Sequence, residues 1–102
     1  MGYRYKGGIK MDIIKELYAV ILDRKAHPEE GSYTNYLLDK GTEKIAKKVG
    51  EEAVETAIAS AKRDKAETVG EIADLIYHAL VLMADMDISL DDIEKELRGR
   101  RG

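Results

Sequence analysis

Four carboxylates stand out by their spacing. Glu52 and Glu55 lie in VGEEAVE (49–55), and Glu71 and Asp74 lie in VGEIADL (69–75). Members of each pair are three positions apart, which on a helix puts both on one face with Cβ atoms about 5–6 Å apart. Glu51 and Glu55 form a further pair at four positions. Like charges so placed cost about 0.2–0.5 kcal/mol per pair on an exposed helix, and more where water is excluded. Among their neighbours four positions away only Lys48 is reliably cationic. If two helices face each other here, four converging carboxylates cannot all stay ionised without a cation between them. Oxygen-only ligands suit Mg²⁺ or Mn²⁺ and not zinc. The ordinary alternative is a solvated acidic face, since the chain has 20 acidic residues. The ExxD pair on the next helix and the shortage of basic partners weigh against it.

Other residues near these clusters have chemistry of their own. Lys44 and Lys48 are four apart and share a face, and Lys48 shares that face with Glu52. Cations beside a metal–carboxylate site suit a polyphosphate substrate, although Lys47 reads as a solvated lysine. Gly50 and Gly70 each precede a cluster. Glycine costs about 1 kcal/mol relative to alanine inside a helix. Each glycine is therefore room for a close approach, a tolerated surface residue, or the sign of a helix start two residues later than the one drawn from apolar spacing. His78 lies one turn beyond Asp74 and reads as a packed group, not a ligand. Tyr33, Tyr36 and Tyr77 read as packing groups rather than a base-stacking platform, because no basic residues interleave them.

Helices must position these groups. Apolar spacing predicts a first helix from Met11 to about His27, stopped by Pro28. Ser32 is placed to cap a short helix to about Lys40, with Leu37 and Leu38 inward and Gly41 ending it. Thr42 is placed to cap a long helix to about Asp64, with Ile45, Val49, Ala53, Ala57 and Ile58 on its buried side. After the polar turn KRDKAE a second long helix runs from about Glu67 to Asp85. Its inward set is Ile72, Leu75, Ile76, Ala79, Leu82 and Met83. Ser89 with Asp92 has the form of a capping box for a last helix to about Leu97. The result is an all-α helical bundle in which the two long helices are antiparallel neighbours. Residues 1–10 read as a flexible lead, 11–98 as one domain and 99–102 as a basic tail.

The rest of the composition bounds the function. A formal charge of −3 gives no argument for nucleic acid or membrane partners. The absence of cysteine excludes a disulfide scaffold and a thiolate zinc site, and permits a reducing cytoplasm. No apolar run approaches the roughly 18 residues of a membrane span. Apolar residues from Ile72 to Met83 surround most of their helix, which one chain of this size cannot cover. A second subunit supplying its own two long helices would complete a four-helix core.

SYTNYLL (32–38), KKVGEEAVE (47–55) and EIADLIYHALVLM (71–83) together resemble phosphoribosyl-ATP pyrophosphohydrolases of histidine biosynthesis, over about Ile14 to Arg98. EExxE with a later ExxD is shared more widely, by MazG-type nucleoside triphosphate pyrophosphatases and dimeric dUTPases. Asn35–Tyr36 depart from the small and basic residues expected there. The resemblance implies an all-α pyrophosphatase fold, a homodimer or dimer of dimers, and hydrolysis of phosphoribosyl-ATP between its α- and β-phosphates in the cytoplasm. By the same resemblance Glu52, Glu55, Glu71 and Asp74 would hold Mg²⁺, with Mn²⁺ as a substitute. Glu51, with Glu52 and Glu55, would serve catalysis, Glu51 by orienting the attacking water. Lys48 and Lys44, with Ser32 and Thr34, would contact the substrate. A housecleaning nucleoside triphosphate pyrophosphatase would share the metal site, and a substrate panel separates it. A non-enzymatic helical dimerisation module would not bind Mg²⁺.

Overall fold

A computed structural model describes residues 12–101, and in that span the chain forms five helices and no strand. The flexible lead expected for residues 1–10 lies outside the described residues. The helix ends follow local chemistry. α1 (Asp12–Ala26) stops two residues before Pro28. α2 (Tyr33–Lys40) is capped by Ser32, whose side chain accepts the Asn35 N–H at 3.1 Å. It ends at Gly41, whose φ of 94° falls where a Cβ is disfavoured. α4 (Lys65–Asp85) begins two residues earlier than its apolar pattern suggests, because Asp64 caps it by accepting the Glu67 N–H at 3.0 Å. α5 (Leu90–Arg100) opens with the reciprocal capping box of Ser89 and Asp92. It runs past the expected end at Leu97, and Arg98–Glu94 and Arg100–Glu96 pairs line its last turns.

α3 (Thr42–Ala61) starts differently from expectation. Gly41 occupies its N-cap without a side-chain bond, so Thr42 is the first helical residue and not the cap. The Thr42 hydroxyl instead donates to Asp85 at the far end of α4. At the other end of the pair Lys62 meets Glu67 at 3.0 Å. α3 and α4 are thus an antiparallel hairpin joined by Lys62–Asp64, with Arg63 in the left-handed region at φ 60°.

The apolar core gathers at the open end of this hairpin. Tyr18 and Ile21 of α1, Leu37 of α2, Ile45 of α3, and Leu80, Val81 and Ala84 of α4 are buried there together. α1 is fastened by polar bonds as well. The Tyr18 hydroxyl donates to the Ile88 carbonyl, and Lys25 Nζ donates to the Ala84 carbonyl at 2.7 Å.

Among the described residues no third helix lies over the closed end, and here the expected burial fails. Of the five residues expected inside on α3, Ile45 is buried and Val49 half-buried, while Ala53, Ala57 and Ile58 are exposed. On α4, Ile72 is exposed, and Leu75, Ile76, Ala79, Leu82 and Met83 are only half-buried. α1 and α2 reach only one end of a hairpin about 20 residues long, so a second apolar side is left open on both helices. The glycines lie in the same open region. A Cβ on Gly50 or Gly70 would meet nothing within 4 Å. Among the described residues they are exposed helix glycines, and no close approach requires them. Among the described residues no helix is long and apolar enough to cross a membrane.

Candidate carboxylate site

Ile45, Glu52 and Ala59 recur at seven-residue spacing, and they are the buried residues of α3. That spacing keeps three side chains on one helix face. They form the seam that α3 presents to α4, and the middle position of the seam is a carboxylate. Glu52 is 7% exposed. Glu55, one turn on, and Glu71 of α4 turn toward it. One carboxylate oxygen from each of the three lies within 4.8 Å of the others. Glu52 Oε1 and Glu71 Oε1 are both buried with no hydrogen-bond partner among the described residues. Buried oxygen acceptors without a donor are costly, and a bound cation is the standard remedy.

The electrostatics register the crowding. Burial, then hydrogen bonding and repulsion from Glu55 and Glu52, push the Glu71 carboxyl up from 4.5 to about 7. Lys48 is the compensating charge. Its Nζ lies 3.3 Å from Glu51 Oε1 and 3.9 Å from Glu52 Oε2. The Glu51 hydrogen bond is the main cause holding the ammonium above its ordinary pKa. Glu51 therefore sits outside the three-carboxylate group, on the lysine that borders it. Lys44 is half-buried one turn before Lys48.

Asp74 is exposed, and its carboxylate is not among the converging oxygens. Its backbone carbonyl has a partner instead. His78 Nδ1 lies 2.8 Å from that carbonyl, and Nε2 lies 3.0 Å from the Tyr33 hydroxyl. A carbonyl can only accept, so Nδ1 carries a proton toward it. His78 is thus a buried connector between α2 and α4, in keeping with its reading as a packed group. Burial raises the Tyr33 phenol, and the nearby Lys48 charge draws it back. Thr34 is buried and bonds the Tyr77 hydroxyl. Ser32 is engaged as the α2 cap.

Two features escaped the sequence reading. Asn35 is buried and pins the loop before α2: its Oδ1 accepts the Glu29 N–H at 2.9 Å, and its Nδ2 donates to the Arg24 carbonyl at 2.8 Å. No local pattern signals that role. Tyr33 and Tyr36, read as packing groups, are nearly half exposed, with rings 6.0 Å apart at 21°. They border an open cleft of about 640 Å³ formed with the loop 28–32.

Fold and site together define a class of all-α proteins in which a helical hairpin carries a carboxylate cluster beside a lysine. Comparison with known proteins narrows this. The family described as phosphoribosyl-ATP pyrophosphohydrolase matches residues 14–101, and the chain belongs to that family. A protein named phosphoribosyl-ATP pyrophosphatase from Clostridium acetobutylicum is 56% identical over 89% of this chain and 83% of its own length. One of the same name from Listeria monocytogenes is 56% identical over 88% of this chain and 86% of its own length. The histidine biosynthesis bifunctional protein HisIE of Thermoanaerobacter pseudethanolicus is 61% identical over 82% of this chain, which spans only 39% of that relative.

Proposed function

We propose that this chain hydrolyses phosphoribosyl-ATP to phosphoribosyl-AMP and pyrophosphate, as an early step of histidine biosynthesis in the cytoplasm. The observation that carries this reading is Glu52. It is a buried carboxylate with an unpartnered oxygen, facing Glu55 and Glu71, in a chain of the phosphoribosyl-ATP pyrophosphohydrolase family.

The donor set of Glu52, Glu55 and Glu71 fits a hard divalent cation, Mg²⁺ or in its place Mn²⁺; Asp74, whose carboxylate lies outside these converging oxygens, would become a fourth ligand only by turning toward them. When bound, such an ion neutralises phosphate charge and acidifies a coordinated water. The protein's own residues do the remainder. Glu51, held 3.3 Å from Lys48, is placed to orient the attacking water or take its proton. Lys48, with Lys44 behind it, offers positive charge to the leaving pyrophosphate. The α2 turn carrying Ser32 and Thr34 flanks this region through Tyr33 and His78, which tie it to α4. The working unit is a homodimer, or a dimer of such dimers. The exposed Val54, Ile58, Val69 and Ile72 support this, because a helix apolar on two sides needs cover on two sides.

The test is pyrophosphate release from phosphoribosyl-ATP beside a nucleotide panel, with and without Mg²⁺. Release confined to phosphoribosyl-ATP and to Mg²⁺ supports the reading. Equal turnover of ordinary deoxynucleoside triphosphates overturns it.

A further inference from the structure

The cleft beside the site has a chemistry that the carboxylate cluster does not explain. Its aromatic wall is Tyr33 and Tyr36, and its ionisable side chains besides these phenols are Glu29, Glu30 and Asp39. Among the described residues no lysine or arginine lines it. Glu29 lies 3.5 Å from Arg24, whereas Glu30 and Asp39 have no ion-pair partner among the described residues. A phosphate would be repelled here, and an aromatic cation would be attracted twice, by the ring faces and by the carboxylates. The Tyr36 ring already meets a cation in the free protein, with Lys40 Nζ 5.7 Å from its centroid. Tyr33 links the cleft to the cluster: its ring borders the cleft, its hydroxyl is bonded to His78, and Lys48 and Glu52 both act on its ionisation.

Resting on the function proposed above, we propose that this cleft binds the adenine ring of the substrate in its N1-substituted, cationic form. A ribosyl group on N1 leaves no N1 proton to release, so the amidinium is neutralised only by losing a proton from the exocyclic nitrogen, whose imine form is basic enough to keep the ring cationic near neutral pH. The adenine of ATP is neutral there. The cleft thereby selects phosphoribosyl-ATP over ATP by the charge of the base, while the carboxylate site acts on the triphosphate that both share.

Two nucleotides isolate this charge without turnover: 1-methyl-AMP, cationic at N1, and AMP, which is not. In titration calorimetry at pH 7 the parent should bind 1-methyl-AMP about tenfold more tightly than AMP, the size of one cation–π contact with a partly exposed ion pair. Glu30→Gln with Asp39→Asn, and separately Tyr36→Leu, should each shrink that preference to about threefold or less. In steady-state assays the same variants should raise KM for phosphoribosyl-ATP with kcat nearly unchanged. Equal binding of the two nucleotides by the parent, or an undiminished preference in both variants, overturns the proposal. The functional reading fails separately. A parent that prefers 1-methyl-AMP but releases no pyrophosphate from phosphoribosyl-ATP keeps the cleft's ligand class and loses the reaction.

Discussion

Replacing Ile58 with glutamate should convert a dimer into a monomer. Val54, Ile58, Val69 and Ile72 are 59%, 54%, 60% and 42% exposed on the uncovered sides of α3 and α4. Fully burying such a side chain is worth about 1.5–3 kcal/mol, so covering the exposed half gains about 1 kcal/mol each. Two-fold symmetry doubles the set, giving a gross gain of about 8 kcal/mol before the cost of association. Ile58→Glu removes about 2 kcal/mol of that at its two copies and places two unpaired carboxylates in the contact. At about 2 kcal/mol of desolvation per carboxylate the total loss is about 6 kcal/mol, roughly 10⁴-fold in dissociation constant. Sedimentation velocity at low micromolar concentration reads the outcome directly. The parent should run at twice the 11.4 kDa chain mass and the variant at the chain mass. Ile58→Lys should do the same, which separates the interface effect from repulsion with Glu55. A variant that keeps the parent's mass, or a parent that is active at 11.4 kDa, refutes the reasoning.

Glu52→Gln, Glu55→Gln, Glu71→Gln and Asp74→Asn should each lower kcat by about 10²-fold or more. In chelator none should melt far below the parent, because each relieves repulsion; near-normal turnover would remove that residue from the site. Glu71 also sets a pH dependence. Its carboxyl is pushed from 4.5 to about 7, chiefly by burial and then by Glu55 and Glu52, so the folded state holds the proton more firmly than the unfolded one. In chelator its contribution should be most favourable below pH 4.5, fall as pH rises to about 7, and then level off. Melting temperatures of parent minus Glu71→Gln across that window measure it, and a difference that rises with pH would contradict the assignment. Asn35→Ala should cost about 1–3 kcal/mol, since it removes two part-buried hydrogen bonds, to the Glu29 N–H and the Arg24 carbonyl. A urea unfolding midpoint unchanged from the parent would show that the loop before α2 does not depend on this side chain.

The helix layout was legible because its signals are local. Pro28, Gly41, Ser32 and the Ser89–Asp92 box act within a few residues, and the structure uses each as its chemistry suggests. Thr42 was misread because its hydroxyl found a partner 43 residues away, which no window reveals. The facing of α3 was misread for a related reason. Its most apolar stripe, with Ala53, Ala57 and Ile58, is the one left open, while the seam contains Glu52. The seven-residue recurrence of Ile45, Glu52 and Ala59 is present in the sequence, but the expected inward set of α3 followed the apolar stripe and took only Ile45 from it. Glu52, Glu55 and Glu71 could be singled out by spacing alone. The position of Asp74 outside their converging oxygens depends on how α4 is rotated against α3, and spacing does not fix that. The Tyr33–His78 and Thr34–Tyr77 bonds join residues more than 40 positions apart and have no sequence signature.

The most direct test of the central claim is pyrophosphate release by purified parent and Glu52→Gln on phosphoribosyl-ATP, ATP and dUTP, each with Mg²⁺ and with chelator. The expected result is pyrophosphate and phosphoribosyl-AMP in equal amounts, from phosphoribosyl-ATP only, with Mg²⁺ only, and with the parent only. Turnover that persists in chelator or in Glu52→Gln, or a kcat/KM for dUTP matching that for phosphoribosyl-ATP, would contradict it.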